Sequence, residues 1–175
     1  MMCLERMLHR TKLVLVLGVV VGVAGCAATN SRVVTKLNED ATLGGGLPSN
    51  PLQGKVITSW IDKTDQQHAV MATMFGNEIA AGYARSNAGH AYPAGSVLSV
   101  VTWNQQEDPR WFGGNIPAST RSVEFVRVGE TADHQASYAY EKFEGSPLKS
   151  NGAEQAATPN QRASYLLSQR AAVMP

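Results

Sequence analysis

The chain has 175 residues, of which 43% are hydrophobic and 17% charged, and its formal net charge is +1. This length fits one domain with extensions. The apolar fraction is enough for a packed core, and 16 Gly with 8 Pro favour a turn-rich, partly β protein over a helical bundle. The near-neutral charge, with no basic run beyond the N-terminus, excludes a typical nucleic-acid-binding surface.

The N-terminus has the features of an export signal. Arg6, Arg10 and Lys12 form a positive region, and the apolar segment Leu13–Ala24 is too short for a comfortable membrane span. The segment ends in Val-Ala-Gly-Cys, which resembles the bacterial lipobox. That resemblance implies cleavage before Cys26 and lipid modification of this cysteine. An ordinary signal peptide with an incidental Cys is the alternative.

The lipobox sets the expected domain organisation and location. Residues 1–25 are the lipoprotein signal peptide, 26–54 a flexible tether rich in Gly, Ser, Asn, Thr and Pro, and 55–175 the folded domain. Because Ala27 follows the cysteine instead of Asp, lipoprotein sorting rules favour the outer membrane, on its periplasmic side. Cys3 lies in the removed segment, so the mature domain has no disulfide.

The first half of the domain is predicted to contain a strand, an ambiguous segment and a helix. In Val56–Asp62, β-branched and aromatic residues nearly alternate, which is typical of a strand. Ala69–Phe75 fits either a strand or a helix. Glu78–Ala84 predicts a short amphipathic helix with Ile79 and Tyr83 on one face.

Three strands are predicted beyond the helix. The apolar, β-branched run Ser96–Trp103 indicates a buried central strand that leads into an aromatic loop. Ser122–Val128 alternates, with Val123 and Phe125 on one face, as in a half-buried antiparallel strand. Ala136–Glu144 is the next strand, and the short connection before it favours a hairpin.

The C-terminal part is less regular. From Gly145 the sequence is rich in Ser, Pro, Asn, Gly and Ala, and Tyr165–Leu167 is a small apolar anchor near the end. The predicted fold class is therefore α+β: a mostly antiparallel sheet or half-barrel of four or five strands, one short helix, and a C-terminal arm packed on the sheet.

Few residues indicate a catalytic or metal-binding site. The mature chain has no nucleophile elbow, phosphate loop or Cys-x-x-Cys pair, and its histidines, His68, His90 and His134, are widely spaced. They are expected in loops, and His90 is of interest because it lies at the mouth of the central strand. Glu107 and Asp108 are either a carboxylate pair or part of a turn, and the turn is favoured.

Aromatic residues are a second group of candidate site residues. They either line a pocket or form an ordinary aromatic core, and composition alone favours the core. The set is Trp103, Trp111, Phe112, Phe125, Tyr138 and Tyr140.

The segment Tyr92–Trp103, the helix with Gly82–Arg85 and the strand Val56–Trp60 together resemble the cytochrome P-460 family, as do Arg110–Gly113 and Ser122–Val128. The similarity spans roughly residues 55–170. It implies a largely β domain, often a homodimer, that is exported to the periplasm. Members carry a c-type haem near the C-terminus and are associated with hydroxylamine or nitric oxide chemistry.

The haem-binding features of that family are missing here. The family attaches haem through Cys-x-x-Cys-His, and Gly152–Ala156 stands about where that motif would lie. Enzymatic members also cross-link the porphyrin to a Lys on the central strand, where this chain has Ser99–Val101. Covalent haem and hydroxylamine oxidation are therefore not expected.

Three hypotheses follow. The first is a lipid-anchored, haem-free binding or structural module, not an enzyme, that takes a small apolar or gaseous ligand or has its pocket filled by side chains. The second is a redox or nitric-oxide-sensing protein that binds haem without covalent bonds through His68, His90 or His134. The third is a small hydrolase that uses Glu107 or Asp108. The partners expected are the membrane, through the lipid, and a second copy in a homodimer.

Overall fold

A computed structural model describes residues 38–63, 69–86 and 91–172. Over these ranges the fold is α+β, with one antiparallel sheet that does not close into a barrel and two short helices. The six strands are neighbours in chain order: β1 (Lys55–Asp62), β2 (Val70–Gly76), β3 (Val97–Glu107), β4 (Asn115–Glu130), β5 (Ala136–Glu144) and β6 (Lys149–Ala156). The helices are α1 (Glu78–Ser86) and α2 (Gln161–Ser168). Within the described ranges, no helix has the length and apolarity needed to cross a membrane.

The centre of the sheet is β3, as its sequence predicts. Val100 and Val101 point to opposite faces of the strand, and neither is exposed. Both faces of β3 are therefore covered. The same holds for β4, where Phe125 and Val126 are both buried, so the prediction that β4 is covered on one face only is wrong. The ambiguous segment is strand β2, which pairs with β1 and β3.

Both helices pack on one face of the sheet. The buried residues of α1 are Ala80, Ala81 and Ala84, whereas Ile79 is 48% exposed. Small residues are needed because α1 follows β2 after a single residue and lies close to it: a Cβ on Gly76 would approach the Cβ of Ala80 to 3.0 Å. The predicted apolar face through Ile79 is thus replaced by an alanine face.

The opposite face is covered by residues 38–54, which the sequence placed in the tether. Ala41, Leu43 and Leu47 pack against a buried cluster on this face that includes Trp103. The indole Nε1 of Trp103 donates a hydrogen bond of 3.0 Å to the carbonyl oxygen of Ala41. The packed region therefore includes residues ahead of Lys55, among them Ala41, Leu43 and Leu47.

The C-terminal residues contain two elements that the sequence did not reveal, strand β6 and helix α2. The predicted packing of a C-terminal arm is confirmed. The amides of Ala171 and Ala172 donate to the carbonyl oxygens of Ala84 and Ile57, at 3.1 and 3.0 Å. The Tyr92 hydroxyl donates to the Gln169 carbonyl oxygen at 2.9 Å.

Candidate functional site

The helix-bearing face is covered by α1 at one end and has an open groove of about 540 Å³ at the other. The groove crosses five strands and is bounded by α2. Its lining residues are Trp60, Asp62, Val70, Ala72, Thr102, Arg121, Ser122, Glu124, Tyr140, Lys142, Glu144 and Arg162. A second depression of about 600 Å³ adjoins it and shares Trp60, Asp62 and Arg162. The site is therefore wide and polar, unlike the enclosed apolar pocket that a gaseous ligand would need.

A β-bulge directs Arg121 into the groove. Thr102 pairs with Ser122 and Trp103 with Thr120, so Arg121 is an extra residue on β4. Successive residues of a regular strand point to opposite faces, and a bulge changes the direction of one of them. Arg121 and Ser122 consequently both line the groove.

Glu124 forms the floor of the groove and is only 2% exposed. Arg162 of α2 binds this carboxylate in a bidentate manner, with Nε 2.8 Å from Oε2 and Nη2 2.7 Å from Oε1. The Tyr140 hydroxyl donates a third hydrogen bond of 2.7 Å to Oε2. A buried carboxylate is tolerated only when it is paired and hydrogen-bonded, and these three bonds meet that requirement.

The same contacts fix the protonation states of all three groups. Burial by itself would raise the pKa of Glu124, but the hydrogen bonds from Arg162 and Tyr140 outweigh burial, and the net pKa lies below its ordinary value. Burial and the hydrogen bond to Glu124 raise the pKa of Tyr140. The hydrogen bond to Glu124 likewise raises the pKa of Arg162. Each group therefore keeps its ordinary charge at neutral pH.

The other charged residues of the groove differ in whether they are paired. Lys142 Nζ lies 2.6 Å from Glu144 Oε1, and the pKa of Glu144 is lowered chiefly by this hydrogen bond. Asp62 has an interaction partner as well. Arg121 is exposed and its charge helps to lower the pKa of the Glu144 carboxylate, but no hydrogen bond or ion pair joins it to another residue of the described ranges. Its guanidinium is therefore available to a ligand.

The histidine and lipidation candidates do not contribute to this groove as far as the structure describes them. His68, His90 and Cys26 lie outside the described residues. His134 is on the hairpin between β4 and β5, with its Nδ1 2.7 Å from Glu130 Oε1. Glu124 and Glu130 are six residues apart on β4, which corresponds to about 20 Å, so His134 cannot reach the groove.

The aromatic candidates do not line one pocket. Trp103 belongs to the cluster under residues 38–54, whereas Tyr138 and Tyr140 lie on the helix-bearing face. Tyr138 and Tyr140 border a cavity of about 10 Å³, which is too small for more than one water. Trp111 and Phe112 are 74% and 104% exposed at the tip of the hairpin that joins β3 and β4.

Glu107 and Asp108 do not form a carboxylate pair site. Asp108 Oδ1 accepts a hydrogen bond of 2.9 Å from the Arg110 backbone amide and one of 3.5 Å from Arg110 Nε. This is the turn that the sequence favours, and within it Arg110 also forms an ion pair with Asp108. The hydrolase hypothesis therefore has no supporting geometry at these residues.

The described residues do not fit a haem or a metal ion. His134, the histidine that the described ranges contain, lines neither the groove nor the depression beside it. No group of three or more His, Cys, Asp or Glu residues in these ranges could hold a metal. Most of the groove lining is charged or polar, whereas a porphyrin needs mainly apolar walls. The groove is therefore better suited to a polar ligand than to a haem.

The sequence did not single out Glu124 or Arg162. The alternation of Val123 and Phe125 placed Glu124 on a solvent-facing side. Val126 and Val128 continue the apolar pattern on that other side, and apolar residues at both alternations are typical of a strand covered on both faces. That pattern was the available indication of a buried carboxylate. Arg162 lies in a stretch without a regular pattern and had no such indication.

No protein-family model matches the chain, and no curated protein matches it either.

Proposed function

We propose that this chain is a non-catalytic binding module whose groove holds a small organic anion. The module is exported and carried on the periplasmic side of the outer membrane by a lipid on Cys26, and it is a haem-free relative of the cytochrome P-460 domains. The observation that carries the proposal is the exposed guanidinium of Arg121, which has no hydrogen bond or ion pair within the described ranges and which a β-bulge turns into a groove of about 540 Å³.

The groove combines the two features that an organic anion needs. A guanidinium forms bidentate, charge-assisted hydrogen bonds to a carboxylate or phosphate. The half-buried Trp60 supplies an apolar wall to the same groove and lies edge-to-face against Tyr165, with ring centroids 6.5 Å apart. An aromatic carboxylate would place its charge on Arg121 and its ring against Trp60.

The protonation states support binding over acid–base catalysis. A general acid or base works best when its pKa lies near the working pH. The pKa of Glu124 is lowered and that of Tyr140 is raised, so both move away from neutrality. The two groups hold Arg162 and the groove floor in place, and neither is suited to transfer a proton near neutral pH.

Isothermal titration calorimetry with benzoate tests the proposal on the full chain in a non-ionic detergent. We expect saturable binding to the wild type and at least about tenfold weaker binding to Arg121→Gln, because a charge-assisted hydrogen bond contributes roughly 1.5–3 kcal/mol. Arg110→Gln is the matched control: this exposed arginine is already bonded to Asp108 and lies outside the groove, so its loss leaves affinity unchanged.

Two results would contradict the proposal. One is benzoate binding that is equally strong in Arg121→Gln and the wild type, or undetectable in both at tens of millimolar. The other is a stoichiometric Soret band on addition of haem that disappears when His68, His90 or His134 is changed to Ala, which would favour the haem-binding alternative.

A further inference from the structure

The tip of the hairpin between β3 and β4 exposes two aromatic side chains together. Trp111 and Phe112 are 74% and 104% exposed, the highest values among the large apolar side chains that the structure describes. Neither belongs to a buried cluster, so neither contributes to the core. An adjacent exposed pair of this size marks a contact surface more often than an isolated exposed residue does.

The turn holds the pair away from the domain. The Trp111 amide donates to the Asp108 carbonyl oxygen at 3.2 Å, and the Gly114 amide donates to the Trp111 carbonyl oxygen at 2.9 Å. The Asp108 amide donates to the Gly114 carbonyl oxygen at 2.9 Å. Gly113 has φ +77°, a left-handed conformation that glycine adopts without strain. The outward position of the rings is therefore built into a closed, hydrogen-bonded turn.

The N-terminal segment joins the domain beside this hairpin. Asn38 Nδ2 donates a hydrogen bond of 2.6 Å to the Pro117 carbonyl oxygen. Pro117 pairs with Gln105, close to the Glu107–Asn115 pair at which the two strands end. Residues 27–37 separate Asn38 from Cys26, and a chain of that length spans at most about 43 Å. A lipid on Cys26 would therefore leave the hairpin tip within reach of the bilayer.

We propose that Trp111 and Phe112 insert into the interfacial region of the membrane that carries the lipid anchor, and this proposal rests on the lipidation of Cys26 in the proposed function. Trp is enriched at membrane–water interfaces, and Phe is common with Trp on the apolar face of interfacial helices. The Arg110 charge is paired with Asp108, so the contact depends on the rings and does not require anionic lipid.

Quenching by brominated lipids tests the insertion. The full lipidated chain is reconstituted into phosphatidylcholine vesicles, with ordinary or brominated acyl chains. We expect the brominated lipid to lower the tryptophan emission of the wild type, and Trp111→Phe to reduce this bromine-dependent loss to less than a quarter of the wild-type value. Trp60→Phe is the matched control and retains the wild-type loss, because Trp60 lies in the groove and not at the tip.

Quenching that is absent in the wild type, or unchanged in Trp111→Phe, would overturn the insertion. Absent quenching together with cross-linking of chains through the tip would assign the rings to a second copy, which also overturns it. Mass spectrometry of the same preparation reports separately whether Cys26 is lipidated, and the benzoate titration reports separately on the groove. Failure of the insertion is thus distinguishable from failure of the proposed function.

Discussion

At the scale of single residues, the groove depends on one buried carboxylate and its partners. The side chain of Glu124 is 3% exposed and that of Arg162 is 42% exposed, so the arginine covers the carboxylate and meets solvent on its other side. The guanidinium also lies over the Tyr165 ring, with its central carbon 5.3 Å from the ring centroid. Arg162 therefore joins α2, β4 and the aromatic edge of the groove.

Arg162→Ala is expected to destabilise the fold by about 3 kcal/mol. The reason is that removing one partner of a buried pair leaves an uncompensated charge. This value is the lower end of the range for buried pairs, because Arg162 is partly exposed. Urea unfolding followed by tryptophan emission measures it. Arg110→Ala, which breaks an exposed pair with Asp108, is the control and should cost less than about 1 kcal/mol. Equal effects of the two substitutions would show that the Glu124–Arg162 pair contributes no special stability.

Stability is expected to fall at both acid and alkaline pH. The pKa of Glu124 is lowered on folding, so its contribution is present above the ordinary value of 4.5 and is lost as the pH falls through the folded value. The pKa of Tyr140 is raised, so its contribution is present below the ordinary value of 10.0 and is lost as the pH rises through the folded value. The urea midpoint of unfolding, measured as a function of pH from below 4.5 to above 10.0, gives the dependence of stability on pH.

Two substitutions separate these effects. Glu124→Gln should weaken the acid dependence, although part of it remains because the pKa of Glu144 is also lowered. Tyr140→Phe should weaken the alkaline dependence, and part of that remains because burial raises the pKa of Tyr92. An acid dependence in Glu124→Gln that is indistinguishable from the wild type would refute the assignment to Glu124.

At the scale of elements, Asn77 connects α1 to the sheet. Its Oδ1 accepts hydrogen bonds from the Ala80 amide at 3.0 Å and the Val97 amide at 3.2 Å. Its Nδ2 donates to the Gly95 carbonyl oxygen at 2.8 Å. The side chain therefore caps the helix and also joins it to the start of β3.

Asn77→Ala is expected to destabilise the fold by about 2 kcal/mol, the upper end of the range for helix caps, because it also removes the bonds to β3. Asn160→Ala is the comparison. Asn160 caps α2 through the Ala163 amide at 2.8 Å, and its Nδ2 donates to the exposed Glu154 carboxylate of β6 at 2.7 Å. Because that second bond is exposed to solvent, the loss of Asn160 should cost about 1 kcal/mol. Urea unfolding of both variants measures the difference. A loss in Asn160→Ala as large as in Asn77→Ala would contradict the bridging role.

The elements that the sequence predicts correctly are those with a recognisable pattern of apolar, β-branched or aromatic side chains. Strand β3 has a continuous apolar run and β5 lies where its aromatic residues predict it. Strand β6 escaped prediction because its side chains are almost all exposed and it is held by backbone pairing to β5. An exposed edge strand of this kind shows no alternation of apolar and polar residues from which it could be predicted. The composition of residues 38–54 predicts a tether because the apolar residues that pack on the sheet, Ala41, Leu43 and Leu47, lie among Gly, Ser and Pro.

At the scale of the whole molecule, the two faces of the sheet have different roles. The face under residues 38–54 is closed by apolar packing, and the helix-bearing face leaves the groove open. The fold class followed from strand patterns and turn residues. The groove does not follow from these patterns, because its residues come from five strands and a helix. Whether those residues lie together depends on the strand register and on one β-bulge. A single sequence carries no direct indication of such long-range register.

The indole signals of ¹⁵N-labelled protein test most directly whether this groove binds an organic anion. The full chain has 3 Trp residues, and Trp60, Trp103 and Trp111 stand respectively in the groove, under residues 38–54 and at the hairpin tip. We predict that benzoate shifts the Trp60 Nε1–H signal in a saturable manner, leaves the Trp103 and Trp111 signals in place, and loses its effect in Arg121→Gln. A Trp60 signal that does not move, or that moves equally in Arg121→Gln, would contradict the assignment of the groove as an anion site.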